Sequence, residues 1–392
     1  MEKYNFDTYV ERRGSNSLKY DFATERNMPK DILPLWVADM DFKTASPILE
    51  ALHKAVDHGI FGYNETKTSY FNAVQKWYKK FFEVELKEEW LLKTPGVVFA
   101  LAMAVKAYTD IDDAIIIQEP VYYPFSEVIK ANKRKIINNE LILKNGKYEI
   151  DFENFENLII QNNVKLFLLC NPHNPVGRVW TEEELIKLGD ICLKHKVMII
   201  SDEIHCDFVH ENYKHKVFFS LKSEFKDISI VCTSPSKTFN LAGLQISNIF
   251  IPNKINRSKF KKQINASGYS QLNSLGLVAC QTAYEHGEEW LKQLKIYLAE
   301  NLNFTREYLN ENLPEIELIE PQATYLIWLD TRKLGSADEV NNKIINEAKL
   351  WLDRGEMFGN SGAGFQRINL ACPRATLKEA LNKLKITFSQ NR

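Results

Sequence analysis

The chain lacks a charge excess of either sign. Its 392 residues carry 50 lysines and arginines against 51 aspartates and glutamates. That balance excludes the basic footprint expected of a nucleic-acid or membrane-surface binder. No two of the six cysteines (Cys170, Cys192, Cys206, Cys232, Cys280 and Cys372) have C-x-x-C spacing, and most sit in apolar runs. They read as reduced core thiols of a cytoplasmic protein, not as a disulfide framework or a zinc site. No run of about 18 apolar residues exists, so no membrane span is expected. The opening residues MEKYNFDTYVERRGSNS contain no apolar stretch of the kind a secretory signal requires. There is no internal repeat and no low-complexity tract.

What is present suffices for a large core. With 45% hydrophobic residues the chain needs neither disulfides nor metal to fold, and its length suits two domains, one large and one small. Helical patterns cover residues 46–58 and 68–82, and a third helix follows Pro95-Gly96 over 96–108. Short apolar runs at 114–118, 165–170, 197–202, 228–234 and 247–251 suit strands of a parallel sheet covered by helices on both faces. Between two of them lies a helix over 182–196 that opens with a capping box, Thr181 and Glu184. The alternation predicts a doubly wound α/β layer structure. After about residue 285 the pattern changes to a long helix over 288–309, then strands at 324–330 and 367–371 with helices near 337–350 and 376–388. This reads as a smaller α/β lobe. The expected division is an N-terminal segment 1–45 joining the small lobe, a large domain 46–285 and a small domain 286–392.

Ligands of a parallel sheet bind beyond the carboxyl ends of its strands. Each apolar run ends there in a chemically useful group. EPVYYPF brings Tyr122 and Tyr123, NPHNPVG brings Asn171 and Asn174, SDEIH brings Asp202 and His205, and SPSK brings Lys237. A lysine at a low-dielectric strand end loses basicity, because desolvation disfavours the ammonium. The free amine can then form a Schiff base with an aldehyde. Asp202 can keep a ring nitrogen protonated, Asn174 can bond a ring oxygen, and Tyr122 can stack on the ring. Gly96, Val97 and Val98 open a helix whose free N–H groups can receive a phosphate, with Ser234 and Ser236 nearby. These are fittings for pyridoxal phosphate. DEIHCDFVH could suggest a metal site, but Asp202 closes a strand and no H-E-x-x-H spacing occurs. No metal is expected.

NPHNPVG, SDEIH and SPSK in this order resemble the fold-type-I pyridoxal-phosphate enzymes, the class I/II aminotransferase superfamily, over nearly the whole chain. LPLWVADMDF (33–42), FGY (61–63), PGVV (95–98), SDEIHCD (201–207), SKTFNLAGLQ (236–245) and RINLACPR (367–374) resemble its cystathionine β-lyase, or C–S lyase, branch (MalY/PatB-like). The resemblance implies a large domain with a mostly parallel seven-stranded-type sheet flanked by helices, plus a smaller α/β domain. It implies pyridoxal 5'-phosphate as cofactor and Lys237 as the Schiff-base lysine and proton shuttle. Asp202 would pair with the ring nitrogen, with His205 beside it. Asn174 and Tyr122 would hold the ring, and Gly96, Val97, Val98 and Ser234 the phosphate.

Arg367 would take the substrate carboxylate. Tyr63 would reach the phosphate of a neighbouring subunit, so the resemblance implies a homodimer with shared active sites. Trp36 either lines the substrate pocket or packs; Tyr325 borders the pocket or belongs to the core. Many aminotransferases of the superfamily carry an arginine eight residues after the lysine, where this chain has Gln245. The expected activity is β-elimination from L-cystathionine or related L-cysteine S-conjugates. An aminotransferase on the same fold is the alternative, and a regulatory protein that keeps the cofactor as a conformational sensor is a third possibility.

Overall fold

The computed structural model describes residues 3–389. Its centre is a seven-stranded sheet. In chain order the strands are β1 (Leu91–Thr94), β2 (Ala114–Ile117), β3 (Lys135–Asn138), β4 (Leu166–Cys170), β5 (Met198–Asp202), β6 (Ser229–Thr233) and β7 (Ser247–Phe250). In space the order is β1-β7-β6-β5-β4-β2-β3. β3, β2, β4, β5 and β6 run parallel, whereas β7 is antiparallel to both β6 and β1. The central strands read AIII, LFLLC, MIISD and SIVCT, and nearly every residue in them is buried. Apolar and β-branched side chains on both faces are what a sheet sandwiched between helix layers needs.

Sequence periodicity places these buried strands and misses others. β1 (LLKT) and β3 (KIIN) are edge strands and only partly buried. A hairpin, Ile142–Lys144 with Lys147–Glu149, and the pairing of Leu33–Pro34 with Leu350–Trp351 also lie outside the pattern. Half-solvated edges carry mixed polarity, and a two-residue strand has no period to read.

The long helix Glu288–Asn312 leads to a second, four-stranded sheet, entirely antiparallel. Its strands are β8 (Glu317–Ile319), β9 (Leu326–Asp330), β10 (Asp353–Arg354) and β11 (Phe365–Asn369), in the order β8-β9-β11-β10. Helices Ala337–Asn346 and Arg374–Ser389 pack against it through Val340, Ile344, Leu377 and Leu381.

The N-terminal segment crosses between the two sheets. A partly buried knot of charges anchors it. Arg12 meets Asp39 at 2.6 Å and Asp41 at 2.8 Å, and the fully buried Lys19 meets Asp41 at 2.9 Å. Two cations against two carboxylates leave no net charge. Residues 36–42 then run as a strap, and its Ala38 lines one cavity with Asp202 at the end of β5 and Lys237 just after β6.

Candidate active site

The strand ends converge on a cavity of about 160 Å³. Its wall includes Tyr122, Asn174, Asp202, His205 and Lys237, with Gly96, Val97 and Val98 on the far side. A larger cleft of about 890 Å³ lies between Phe81–Glu83, the 206–216 loop and helix Glu288–Asn312. It contains neither Lys237 nor Asp202, both of which line the smaller cavity.

Lys237 sits in a single helical turn, Pro235–Thr238, directly after β6. Ser234 caps that turn: its Oγ accepts from Ser236 N at 3.0 Å and donates to Ile246 O at 2.6 Å. The cap therefore engages the Ser234 hydroxyl, while the Ser236 side chain lines the cavity. Lys237 Nζ donates to Ala38 O at 2.6 Å. Burial pulls the lysine down to about 8, opposed by the charge of Asp39 and assisted by that of Arg367. Near neutrality a real fraction of such an amine is free to react.

Asp202 ends β5 and is buried. It accepts one hydrogen bond, from Ile204 N at 3.2 Å. Among the described residues no cation pairs with it. Desolvation accordingly pushes it up to about 7. A buried carboxylate without a cation is what a ring that must stay protonated requires. His205 follows, with Nδ1 buried and unpartnered. Burial and the charges of Lys237 and Arg367 take it down to about 3, so the ring is neutral.

Gly96 precedes the helix Val97–Tyr108 with φ of +144°, a conformation that side chains resist, and that frees the first N–H groups of the helix. Gln245, also with positive φ, lines the same wall. Of the two adjacent tyrosines, Tyr122 lines the cavity, whereas the ring of Tyr123 packs against Phe358 at 6.1 Å.

Arg367 projects from β11 and is buried. Nη1 donates to Asn174 Oδ1 at 3.0 Å and Nη2 to Trp36 O at 2.9 Å, while Nε is buried without a partner. Asp353 lies opposite it in the β10–β11 register and pairs with the guanidinium. Trp36 stacks on Trp351 with centroids 4.4 Å apart, and Tyr325 donates to Ala38 O at 3.1 Å. Asn171 lies behind the site, its amide bonded to Lys216 O.

Tyr63 is 92% exposed, in the irregular stretch 58–67, and does not reach the cavity of its own chain. The acidic and histidine groups after β5 are engaged elsewhere: Glu203 with His215 at 2.8 Å, Asp207 with Trp77 and Thr238, His210 with two backbone carbonyls.

Sequence reasoning passed over Ala38, Asp39, Asp353 and Asn369. Ala38 acts through its carbonyl, which no side-chain pattern announces. Asp39 and Asn369 lie inside motifs (WVADMDF, RINLACPR) whose chemistry residue type alone does not reveal, and Asp353 lies far from both in sequence and meets Arg367 only through strand pairing.

This arrangement has a family. The model for class I and II aminotransferases matches residues 30–384, and the chain belongs to that family. Within it, the chain is similar to cystathionine beta-lyase PatB of Bacillus subtilis strain 168, with 42% identity over 98% of this chain and 100% of the relative. Among solved structures it resembles cystalysin of Treponema denticola, which contains pyridoxal 5'-phosphate, at a TM-score of 0.96 and 38% identity over the full length of both chains. It also resembles the pyridoxal-phosphate-bound C–S lyase of Staphylococcus hominis, at a TM-score of 0.92 and 36% identity over 99% of this chain and 98% of that one.

Proposed function

We propose that this chain is a pyridoxal-phosphate-dependent carbon–sulfur β-lyase. It cleaves L-cystathionine or a related L-cysteine S-conjugate to a thiol, pyruvate and ammonia. The observation that carries this is the presence, in one cavity, of a lysine of depressed basicity and a buried carboxylate with which, among the described residues, no cation forms an ion pair. The residues lining the cavity fit the cofactor: Asp202 would pair with the ring nitrogen, Asn174 and Tyr122 would hold the ring, and the N–H groups of Val97 and Val98 with Ser236 and Gln245 would receive the phosphate. When bound, pyridoxal phosphate supplies an aldehyde carbon for amines and an electron-withdrawing ring.

The protein's own residues do the rest. Arg367 and Asn174 orient the substrate carboxylate, whose two oxygens suit a guanidinium fork. Lys237 Nζ takes the proton from Cα as general base, an effect of roughly 10²–10⁴-fold. Asp202 would hold the proton on the ring nitrogen, and that partner would keep the carboxylate ionised. The thiolate leaves Cβ, and the enamine left behind takes up water to give pyruvate and ammonia. The names of PatB and of the Staphylococcus lyase support this outcome.

A second reading, aminotransferase, shares every step up to proton removal and is favoured by the family's own description. Gln245 in place of the usual arginine, and the lyase relatives, speak for elimination. The deciding assay supplies L-cystathionine without any 2-oxoacid. Pyruvate and thiol in equal amounts, absent in Lys237→Ala, support the lyase. Conversion of the bound cofactor to its amine form without pyruvate overturns it.

The same reading takes the working unit to be a homodimer in which Tyr63 reaches the partner's cofactor phosphate. The exposed run Ile60, Phe61 and Tyr63 supports this, as an apolar patch awaiting a cover. A reducing, cytoplasmic setting is supported by six free, buried cysteines.

A further inference from the structure

Strand β11 grips the strap 36–42 at two points. Residues two apart on a strand share a face. Arg367 and Asn369 are such a pair, and both reach the strap: Arg367 at Trp36 O, Asn369 at the next stretch. Asn369 is buried, and its Nδ2 donates to Val37 O at 2.7 Å and to Asp39 O at 2.6 Å. Its Oδ1 accepts from Ala371 N at 2.7 Å, which fixes the amide's orientation. One side chain thus holds the carbonyls on either side of Ala38. The carbonyl between them, Ala38 O, accepts from Lys237 at 2.6 Å and from Tyr325 at 3.1 Å.

We propose that Asn369 is a positioning residue for the reaction: by clamping Val37 and Asp39 it sets the Ala38 carbonyl, and through that carbonyl the direction of the Lys237 amine. An amine that gives one N–H to a fixed carbonyl has its lone pair turned away from that carbonyl. Lys237 and Ala38 both line the cavity, where an aldehyde or a Cα proton must be met. Without the clamp, two partly buried carbonyls lose a donor, the strap relaxes, and the lysine loses its fixed acceptor. Asn369 touches neither substrate nor cofactor in this account. It rests on the reading of Lys237 as the reacting amine.

The test uses the apoprotein and the holoenzyme of wild type and Asn369→Ala. The apoprotein is mixed with pyridoxal phosphate and capture is followed by absorbance; the holoenzyme is assayed on L-cystathionine for kcat and KM separately. Misplacing a reacting group by an ångström can cost on the order of 10²-fold, so capture and kcat are expected to fall about 10- to 100-fold while KM stays within about 3-fold. Should Asn369→Ala not fold, Asn369→Asp has the same size and, ionised, no N–H to give, and is expected to show the same split. Capture and kcat both near wild type would overturn the proposal. So would a rise in KM with kcat intact, because Asn369 would then act through Arg367. If wild type releases no pyruvate, the lyase reading fails, yet the capture rate still decides the role of Asn369.

Discussion

Lys237 and Tyr325 meet on a single acceptor, the Ala38 carbonyl, at 2.6 and 3.1 Å. One residue comes from the large sheet and the other from the segment leading into β9. The amine that does the chemistry is thus referenced to both sheets through one backbone oxygen of the N-terminal strap. Several variants probe this arrangement and its surroundings.

Asp202→Asn is expected to stabilise the apoprotein while crippling the enzyme. The carboxyl is raised from 3.8 to about 7 by burial. Between those values the folded state binds more protons than the unfolded one, so this group's effect on stability worsens as pH rises from 4 to 7. Removing the charge should therefore add roughly 2–4 kcal/mol to apoprotein stability at pH 8 and little at pH 4. Urea unfolding of the two apoproteins at both pH values checks this, and equal stabilities at pH 8 would contradict the burial argument.

Arg367→Lys keeps a positive charge but loses the fork that suits a carboxylate. KM for the amino-acid substrate should rise about 10- to 100-fold, a loss of roughly 1.5–3 kcal/mol in binding. Asp353→Ala strikes the same ion pair from the other side. Arg367 would remain buried with its charge uncompensated, which costs about 3–5 kcal/mol. Denaturant midpoints measure that cost, and an unchanged midpoint would mean the pair contributes nothing to folding.

Tyr63 offers a test of shared sites. Tyr63→Ala and Lys237→Ala should each be nearly inactive alone. Unfolded together and refolded as a mixture, they form some dimers in which one site has both an intact lysine and an intact partner tyrosine. About a quarter of wild-type activity should return. No recovery in a mixture that sizes as a dimer would argue that each chain works alone.

Gly189 lies in helix Glu182–His195 where a Cβ would come within 2.2 Å of the Phe225 ring. Gly189→Ala should destabilise the protein by about 1–3 kcal/mol through overpacking, despite the better helix propensity of alanine. A thermal melt decides between the two effects.

The parts of the fold visible in the sequence are those whose residues face one environment. AIII, LFLLC and SIVCT are buried on both sides, and their composition says so. KIIN on the sheet edge is half wet and does not. The same division holds for the site. Lys237, Asp202, Asn174 and Arg367 come together from motifs whose residue types carry their chemistry. Ala38 contributes a carbonyl that every residue has, and Asn369 matters only because β11 lies beside the strap. Tyr63 faces solvent in the single chain, and the role proposed for it rests on a second copy.

The charge knot near the N-terminus reaches further than its position suggests. Arg12 and Lys19 neutralise Asp39 and Asp41, and Asp39 is the carboxylate whose field bears on Lys237. Proteolytic clipping between Lys19 and the strap would cut none of the residues that line the cavity. Departure of the clipped segment would nevertheless leave Asp39 and Asp41 without their cations, and the uncompensated charge of Asp39 would raise the affinity of the amine for a proton. The N-terminal segment thus couples the stability of the strap to the basicity of the lysine, and its loss would surface as lowered stability together with a displaced pH optimum.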